Sequence, residues 1–359
     1  MPRNRIIYQS KVLFVSNTPA TGAADGVTNQ LHRIQTISDN VGIGRQDINQ
    51  MGVLAAIGRE IIDQPTVGLN FSYYLTNVLN EENLGLLTDG TATAISGFLD
   101  RTDDEKNYFV VVVPEGNDAV GYVPSTNAYT VGIGNGFLSS YSVEARVGGF
   151  ATVTCGVQGL NLQAVTGIGG ANPAVNPVNG IQVTGNVTIG TITTGVTGQA
   201  TALRPGDVTI TLTADDGGSE DPVAVDFSDA KIQAFTMSFD LNREPLQKLG
   251  SRFAFSREIS FPVTVQGTVE ANLGDLQTGN LADILCNDRN YTLTATIRKP
   301  SCTGDGAIAV IYELKAVKLD SEDFNSSIGP GDTVTLQYST QLGGPQDTTR
   351  GLFISGVLV

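Results

Sequence analysis

The chain of 359 residues is long enough for two ordinary domains, because single hydrophobic cores usually stop growing below that length. Hydrophobic residues make up 40% and charged residues 16%, with 42 glycines and no tryptophan, which argues against disorder and favours short β-strands joined by tight turns. The net charge of −15 argues against nonspecific binding to nucleic acid or anionic membranes. This charge either keeps the outside soluble or lines a conduit that repels DNA.

The N-terminal residues MPRNRIIYQSKVLFVSN are basic but lack an apolar core and a small-residue cleavage site, so we expect no signal peptide. No run of about eighteen apolar residues occurs, so we expect no membrane insertion. Cys155, Cys286 and Cys302 are odd in number and lack CxxC spacing. This pattern predicts reduced thiols in a protein made in a cytoplasm.

The first part of the chain is typical of β-strands with one short helix. A β-type run lies between Arg5 and Ser16, and Gly44 to Gly58 predicts a hairpin with an extended tip. The leucines of NVLNEENLGLL indicate a short helix or turn. The apolar run NYFVVVV predicts a strand buried on both faces, whereas SSYSVEARVGGFATVTCGVQG alternates and predicts a half-buried hairpin turning at Gly148–Gly149.

Residues 164–202 differ in composition, being rich in Gly, Thr, Val, Asn and Pro and nearly uncharged. This segment is a flexible linker, an inserted β-hairpin or an arm on a neighbouring subunit, and its β-branched residues favour ordered strands. Regular β patterning returns at LRPGDVTITL. We therefore predict a first module over residues 1–163, an insertion or linker over 164–202 and a second module over 203–359.

An internal repeat links the two modules. Arg33-Ile34-Gln35 recurs as Lys231-Ile232-Gln233, an offset of 231 − 33 = 198. At this offset about ten of roughly forty positions are identical, and apolar positions keep their class, such as Ile37 with Phe235 and Val41 with Phe239. Because a one-residue slip would turn every side chain to the opposite face, the shared alternation predicts shared faces.

Each half is predicted to contain, in order, a strand, a long hairpin, a strand, a helix, a strand and a final hairpin. NVLNEENLGLL precedes NYFVVVV in the first half, and TGNLADILCND precedes NYTLTATIRKP in the second. The second helix has the clearer signals, because Thr278 is a suitable N-cap ahead of Leu281, Ile284 and Leu285.

No motif predicts an enzyme, a cofactor or a metal site. His32 is the only histidine, and a surface or structural role fits it better than catalysis. The acidic groups Asp103-Asp104-Glu105, Asp215-Asp216 and Glu220-Asp221 lack the spacing of a calcium loop and are typical of solvated turns. GIGNGF and GIGGANP lack the Lys-Ser/Thr of a phosphate loop. We therefore predict no catalytic, cofactor-binding or metal-binding residues.

The repeated charged residues beside the two long hairpins are the candidate contact residues. They form either exposed ion pairs worth about 0–1 kcal/mol, kept through shared ancestry, or charge-assisted contacts to an adjacent subunit or ring. The candidate inter-subunit or inter-ring residues are Arg45, Arg59, Glu60, Arg243, Arg257 and Glu258.

Most of the chain, apart from its Gly/Thr-rich middle, resembles the tail tube (major tail) proteins of tailed phages. The resemblance lies in RIQTISDNVGIGRQDINQMGVLAAIGREIIDQPTVGLNFSYYLT, GFLSSYSVEARVGGFATVTCGVQG, LRPGDVTITL and FDLNREPLQKLGSRFAFSREISFPVTV. It implies a β-sandwich or open-barrel module with a flanking helix, six of which close a ring around a continuous inner β-barrel. Three chains with two modules each would complete a pseudo-sixfold ring. The hairpins at Gly44–Gly58 and Asn242–Ser256 would contact the next ring.

The expected fold class is therefore mainly β with short helices, in two tandem tail-tube-like modules. The resemblance implies a structural subunit of the virion tail, assembled in the host cytoplasm. Its partners would be itself, other tail proteins, and DNA that passes an acidic lumen without sequence-specific binding. Two alternatives stay open, a tandem β-sandwich virion decoration or adhesin protein and a carbohydrate-active β enzyme, although a chain without tryptophan offers a poor sugar platform.

Overall fold

The structure is a computed structural model that describes residues 10–16, 29–100, 104–113, 119, 128–166, 170–177, 179–193, 202–203, 208–214, 231–250, 253–272, 290–299, 301, 306–325 and 333–356. Within these residues the chain is mainly β, as predicted, with two short helices. The predicted second helix at Thr278 lies outside the described residues.

The elements before residue 167 form the first half. They are β1 (Lys11–Val15), β2 (Asn29–Leu31), β3 (Ile34–Gly42), β4 (Arg45–Ile48), β5 (Gly58–Ile61), β6 (Thr66–Tyr74), α1 (Leu79–Leu84), α2 (Ser96–Leu99), β7 (Lys106–Val112), β8 (Tyr129–Arg146), β9 (Thr152–Gly159) and β10 (Asn161–Thr166).

Two short strands, β11 (Gly170–Ala171) and β12 (Asn186–Val187), pair with each other between the halves. The elements after residue 207 form the second half. They are β13 (Val208–Ala214), β14 (Ile232–Asp240), β15 (Arg243–Leu246), β16 (Ser256–Ile259), β17 (Thr264–Asn272), β18 (Tyr291–Arg298), β19 (Ile308–Asn325), β20 (Thr333–Gln341) and β21 (Gly351–Gly356).

Local sequence accounts for several of these elements. All seven residues of β7 are buried, because Tyr108 and Val110 enter the main core while Phe109 and Val111 enter a second cluster on the opposite face. This confirms the prediction from its unbroken apolar run. Helix α1 ends at Gly85, whose φ of 95° lies in the left-handed region that glycine adopts without strain.

Each half consists of two sheets joined by one strand of 18 residues. The first part of β8 pairs with β7 and β10, and its second part pairs with β9. In the same way, β19 pairs first with β18 and β21 and then with β20. Both long strands carry a register shift, between Leu138 and Ser140 and between Leu319 and Ser321. Such bulges increase local twist, which helps one strand serve two sheets.

The sequence repeat recurs in the strands. The bounds of β3 to β6 become those of β14 to β17 when 198 is added to each residue number, as in 34 + 198 = 232 and 66 + 198 = 264. The pairing also agrees, because Ile37 faces Phe71 in the first half and Phe235 faces Val269 in the second. Residues at corresponding positions therefore point to corresponding faces.

One antiparallel sheet runs through both halves. Its order is β3-β6-β9-β8-β14-β17-β20-β19, where β8 and β19 contribute their second parts. The junction between the halves is the pairing of β8 with β14. The outer edges of this eight-stranded sheet, on β3 and β19, have no strand partner among the described residues.

The main hydrophobic core is continuous across the two halves, with Tyr73 and Tyr141 from the first and Tyr312 and Phe239 from the second. Residues after 166 cover the opposite face of the β1-β7 sheet, where Val187, Ile189 and Ile192 join the second cluster. Part of the Gly/Thr-rich middle is therefore packed on the first half. Strand β10 ends at Thr166, just beyond the boundary predicted at residue 163, and the predicted division into modules stays a prediction.

Candidate assembly interface

The junction of the two halves begins with a regular ladder between β8 and β14. Seven consecutive register pairs run from Ala234 opposite Arg146 to Asp240 opposite Ser140. On the core side, the rings of Tyr141 and Phe239 stack with centroids 5.5 Å apart. The ladder satisfies the backbone of both strands, and the stacked rings add packing on one side of it.

The hairpin of β15 and β16 packs against the first half, and the two together line a cleft of about 230 Å³. The guanidinium of Arg243 pairs with the Asp104 carboxylate and lies 4.6 Å from the centroid of the Phe137 ring. The Arg257 guanidinium lies 5.5 Å from the same centroid. The side chain of Arg243 is only 3% exposed, so this is a desolvated charge contact rather than a surface ion pair.

Burial shifts the pKa values of two other charged groups in this cleft, Arg257 and Glu105. Burial lowers the pKa of Arg257 to about 10, although the neighbouring Glu105 carboxylate opposes the shift. Burial also raises the pKa of Glu105, against the effect of a hydrogen bond donated by Asn135. The backbone N–H of Ala254 donates to the Gln64 side chain at 2.8 Å, which fixes the hairpin further. The two arginines predicted as contact residues thus contact the other half of their own chain.

A buried carboxyl–tyrosine cluster lies below the same junction. The Tyr73 hydroxyl donates to Glu81 Oε1 at 2.7 Å, and the Tyr141 hydroxyl donates to the same oxygen at 3.2 Å. The Tyr141 and Tyr312 hydroxyls are 2.9 Å apart, so the cluster joins both halves. Burial raises the pKa of Glu81 to about 7, because the surroundings disfavour its charged form more than the two tyrosines stabilise it.

The face of the eight-stranded sheet that points away from the core is polar and mostly uncharged. Directly opposed residues of antiparallel strands share a face. One row crosses all eight strands and consists of Thr36, Ser72, Thr154, Ser142, Ser238, Gln266, Ser339 and Lys318. The basic Arg146 on this face lies 3.3 Å from a carboxylate oxygen of Glu144 and 3.5 Å from one of Glu270. Hydroxyl and amide groups therefore dominate this surface.

The corresponding hairpin of the first half, β4 with β5, is exposed. Arg45, Arg59 and Glu60 all lie on its surface, and Arg59 Nε pairs with Asp47 Oδ1 at 2.6 Å. The hairpin also exposes large apolar side chains, with Met51 and Leu54 fully accessible to solvent. The structure therefore separates the six predicted contact residues into an exposed set in the first half and a set of Arg243, Arg257 and Glu258 beside the junction.

A wider cleft of about 710 Å³ opens in the second half, beside the β19 edge that has no strand partner in the described ranges. Its basic lining residues are Lys315, Lys318 and Arg350, and Asp320 is its acidic one. The Lys315 ammonium lies 4.1 Å from the centroid of the Phe353 ring. This cleft is polar and open, which suits a protein segment better than a small molecule.

Of the residues considered for chemistry, His32 and Cys155 occupy structural positions. The others that lie outside the described residues are Asp103, Asp215, Asp216, Glu220, Asp221, Cys286 and Cys302. The His32 backbone N–H donates to the Asn80 side chain at 3.0 Å, and burial, with the nearby Arg33 charge, lowers the pKa of its imidazole. Cys155 is a buried free thiol. The described residues contain no group of three or more His, Cys, Asp or Glu side chains arranged to hold a metal. None of the helices in the described ranges is long and apolar enough to cross a membrane.

Comparisons with known proteins add the following. No family model matches the chain, and no curated protein matches it. Among solved structures, it is similar to a chain of the "Tail of empty GTA particle computed with helical refinement, C6 symmetry", with 16% identity and a TM-score of 0.28 over 44% of this chain and 100% of that chain. A chain of the "Virion of native gene transfer agent (GTA) particle" matches with 13% identity and a TM-score of 0.26 over 43% and 100%. Similarity at this level does not establish a common fold.

Proposed function

We propose that this chain is a structural, non-enzymatic subunit of a phage-type tail tube, in which copies join side by side into a ring. The observation that carries the proposal is the eight-stranded sheet, whose edges on β3 and β19 have no strand partner within the described part of the chain. Soluble monomers usually cover or blunt such edges, and closure into a ring pairs them with neighbours. The chain also contains one example of such a joint, in the pairing of β8 with β14.

In the proposed ring, each chain contributes two equivalent wall segments and three chains give pseudo-sixfold symmetry. The repeat supports this, because β3 to β6 and β14 to β17 share bounds and pairing at a constant offset. A covalent link between the two segments raises the effective concentration of the first neighbour during assembly. Stacked rings would form the tube and bind other tail proteins at its ends, in a virion tail assembled in the host cytoplasm.

The polar outer face of the eight-stranded sheet is proposed to line the lumen. Tight nonspecific DNA binding depends on basic side chains that release counterions from phosphate groups. Seven of the eight residues in the row from Thr36 to Lys318 offer hydroxyl or amide groups, Lys318 at its end is the one basic residue, and Arg146 is beside two carboxylates. DNA would therefore pass such a wall without sequence-specific binding, and the net charge of −15 adds general repulsion.

Negative-stain electron microscopy of the purified chain tests this function. Hollow rings or stacked tubes are the expected particles. Dispersed globules at high protein concentration would overturn the tube proposal, and globules that bind assembled capsids would favour the virion decoration or adhesin alternative.

A further inference from the structure

We infer that the β3 edge and the β4–β5 hairpin of one copy dock on the second half of the next copy, as β14 and the β15–β16 hairpin dock on the first half within the chain. This inference rests on the proposed side-by-side assembly. It assigns the exposed hairpin to the neighbour in the same ring, whereas the family resemblance implied a contact with the next ring.

The internal joint predicts the register of the edge contact. Residue numbers on β14 exceed those of their counterparts on β3 by 198. The register shifts of β8 and β19 follow Leu138 and Leu319, so residue numbers on these two strands differ by 319 − 138 = 181. Within the chain, Ser238 faces Ser142. Because 238 − 198 = 40 and 142 + 181 = 323, Asn40 is expected to face Asp323 of the next copy. Both residues are exposed on strands whose outer edges have no strand partner in the described part of the chain.

The open cleft, of about 710 Å³, corresponds in position to the cleft of about 230 Å³, which is called the occupied cleft because the β15–β16 hairpin forms one of its walls. Phe137 lines the occupied cleft and Lys318 the open one, with 137 + 181 = 318. The register shift of β7 follows Lys106 and that of β18 follows Tyr291, so residue numbers on these two strands differ by 291 − 106 = 185. At this offset Glu105 corresponds to Asn290, which also lines the open cleft.

A third pair of corresponding residues lies on the strand that borders each cleft, which is β10 in the first half and β21 in the second. Asn161 of β10 faces Gly134, and Gly351 of β21 faces Lys315, where 134 + 181 = 315. The offset of these two strands is therefore 351 − 161 = 190, and Leu160 corresponds to Arg350. The two clefts lie at the same place in their halves, and among the described residues only the first one has a hairpin as one of its walls.

The charges of the two clefts are opposite in sign. The occupied cleft has Asp104 and Glu105 and receives two arginines, whereas the open cleft has three cations and one carboxylate. The hairpin residue Glu258 lines the occupied cleft, and its counterpart is Glu60, because 258 − 198 = 60. Docking in the same way would bring Glu60 to the border of the open cleft, and it would place Arg45 and Arg59, the counterparts of Arg243 and Arg257, near Lys318, the counterpart of Phe137. Arg350 already pairs with Asp347 at 2.9 Å, so charge does not favour this contact, and the matching positions of the two clefts carry the inference.

The apolar side chains of the free hairpin also need a cover. Phe255 lines the occupied cleft, and its counterpart is Ile57, because 255 − 198 = 57. Ile57 is 56% exposed in the free hairpin, and Phe255 is 44% exposed in the docked one, so docking in the same way covers only part of this apolar surface. An exposed apolar cluster of this kind marks a protein contact, and a second copy is the occupant for which the chain itself provides the matching cleft.

Cysteine cross-linking in assembled particles tests the register. The variant with Asn40→Cys and Asp323→Cys should link different copies into oligomers under mild oxidation, because directly opposed β residues approach within disulfide reach. The variant with Ser142→Cys and Ser238→Cys is the positive control, since its pair lies within one chain and should close without oligomers. The variant with Asn40→Cys and Ser321→Cys keeps the face but shifts the register by two residues, and it should link poorly.

The outcomes separate this inference from the proposed function. Rings or tubes without a link between residues 40 and 323, or with a preferred link between 40 and 321, would overturn the docking register while the tube function stands. Absence of any assembled particle would overturn both.

A charge placed on the hairpin tests the cleft. Ile57→Lys puts a cation at the counterpart of the cleft-lining Phe255, against the three cations of the open cleft, and should strongly reduce assembly. Glu244→Lys adds positive charge on an exposed position of β15 and should assemble like the unaltered chain. Melting of the unassembled variants checks that the subunit still folds. Normal assembly of Ile57→Lys would contradict the docking of the hairpin at this cleft.

Discussion

The hairpins β3–β6 and β14–β17 share bounds and register but have different surroundings. Strand β14 lies between β17 and β8, and its residues Phe235, Met237 and Phe239 are buried. Strand β3 pairs only with β6 among the described residues, and its counterparts Asp39 and Val41 are exposed. Local pattern therefore sets the strand and its faces, while the neighbouring strand decides which faces are covered.

The same contrast holds for identical residues. Arg243 is buried against Asp104 and Phe137, whereas Arg45, at the same place in the first half, is exposed. A shared sequence position thus has two energetic roles in one chain. In the proposed ring, the first hairpin would border a cleft of the neighbouring copy that corresponds in position to the cleft beside the second hairpin but differs from it in charge.

The largest effect on subunit stability is expected from Phe239→Ala. Loss of this buried ring, stacked on Tyr141, should lower the free energy of unfolding by about 3–5 kcal/mol. The matched change Val41→Ala should cost about 0.5 kcal/mol or less in the unassembled subunit, because Val41 is 49% exposed. Urea unfolding of both variants measures the difference. Equal losses would mean that the two strands are equally covered in the isolated chain.

The ion pairs of the two hairpins give the next contrast. Asp104→Asn leaves the buried Arg243 charge without its counterion and should destabilise the subunit by about 3 kcal/mol. Asp47→Asn removes the partner of the exposed Arg59 and should cost about 0–1 kcal/mol. Denaturant unfolding at low and high salt measures both. A similar loss for both variants would contradict the assignment of the Arg243 pair as desolvated.

The sequence predicts the strands and turns of this arrangement but not which strand edges pair with each other. The Gly44–Gly58 hairpin, the short helix at Leu79 and the doubly buried β7 follow from turn residues and apolar periods, which are local signals. The partner of each edge is not a local property. Arg45 and Arg243 are identical residues at corresponding positions of the repeat. The sequence therefore predicts both as contact residues and cannot show which of them is buried.

The residues that sequence reasoning missed belong to long-range contacts. Asp104 was interpreted as solvated turn charge, yet it pairs with Arg243, 139 residues away. Glu81 lies in a helix beside the exposed Glu82, and nothing in NEEN distinguishes the buried acid from the exposed one. The contact with Tyr73 and Tyr141 arises only when β6 and β8 pack over α1, so no spacing in the sequence announces it.

Glu81 predicts a pH dependence that tests the junction of the halves. Its pKa is about 7 in the folded chain and 4.5 in the unfolded chain, so the folded state binds the extra proton between these values. Stability should therefore fall by about 3 kcal/mol as pH rises from about 4.5 to about 7 and then level off. Glu81→Gln should flatten this part of the stability profile, whereas the exposed Glu82→Gln should leave it unchanged. If the stability of the unaltered chain rose with pH over this range, and that of Glu81→Gln did the same, the assignment of Glu81 as a buried neutral carboxyl would be contradicted.

The smallest effect on stability, and the most specific to function, is expected on the polar face of the sheet. The double variant with Ser142→Lys and Ser238→Lys adds two positive charges that face each other across the junction, on the side of the sheet away from the core. It should change the free energy of unfolding by about 1 kcal/mol or less. In the ring, these lysines would face passing DNA and create phosphate contacts that the hydroxyl groups lack, so DNA release should slow and become salt-dependent. Ser142→Asp with Ser238→Asp is the matched control, because it adds charge of the opposite sign at the same places and should not retain DNA. Unchanged release from correctly assembled lysine particles would place this face away from the DNA path, because a basic row on the wall of a narrow conduit must contact the phosphates.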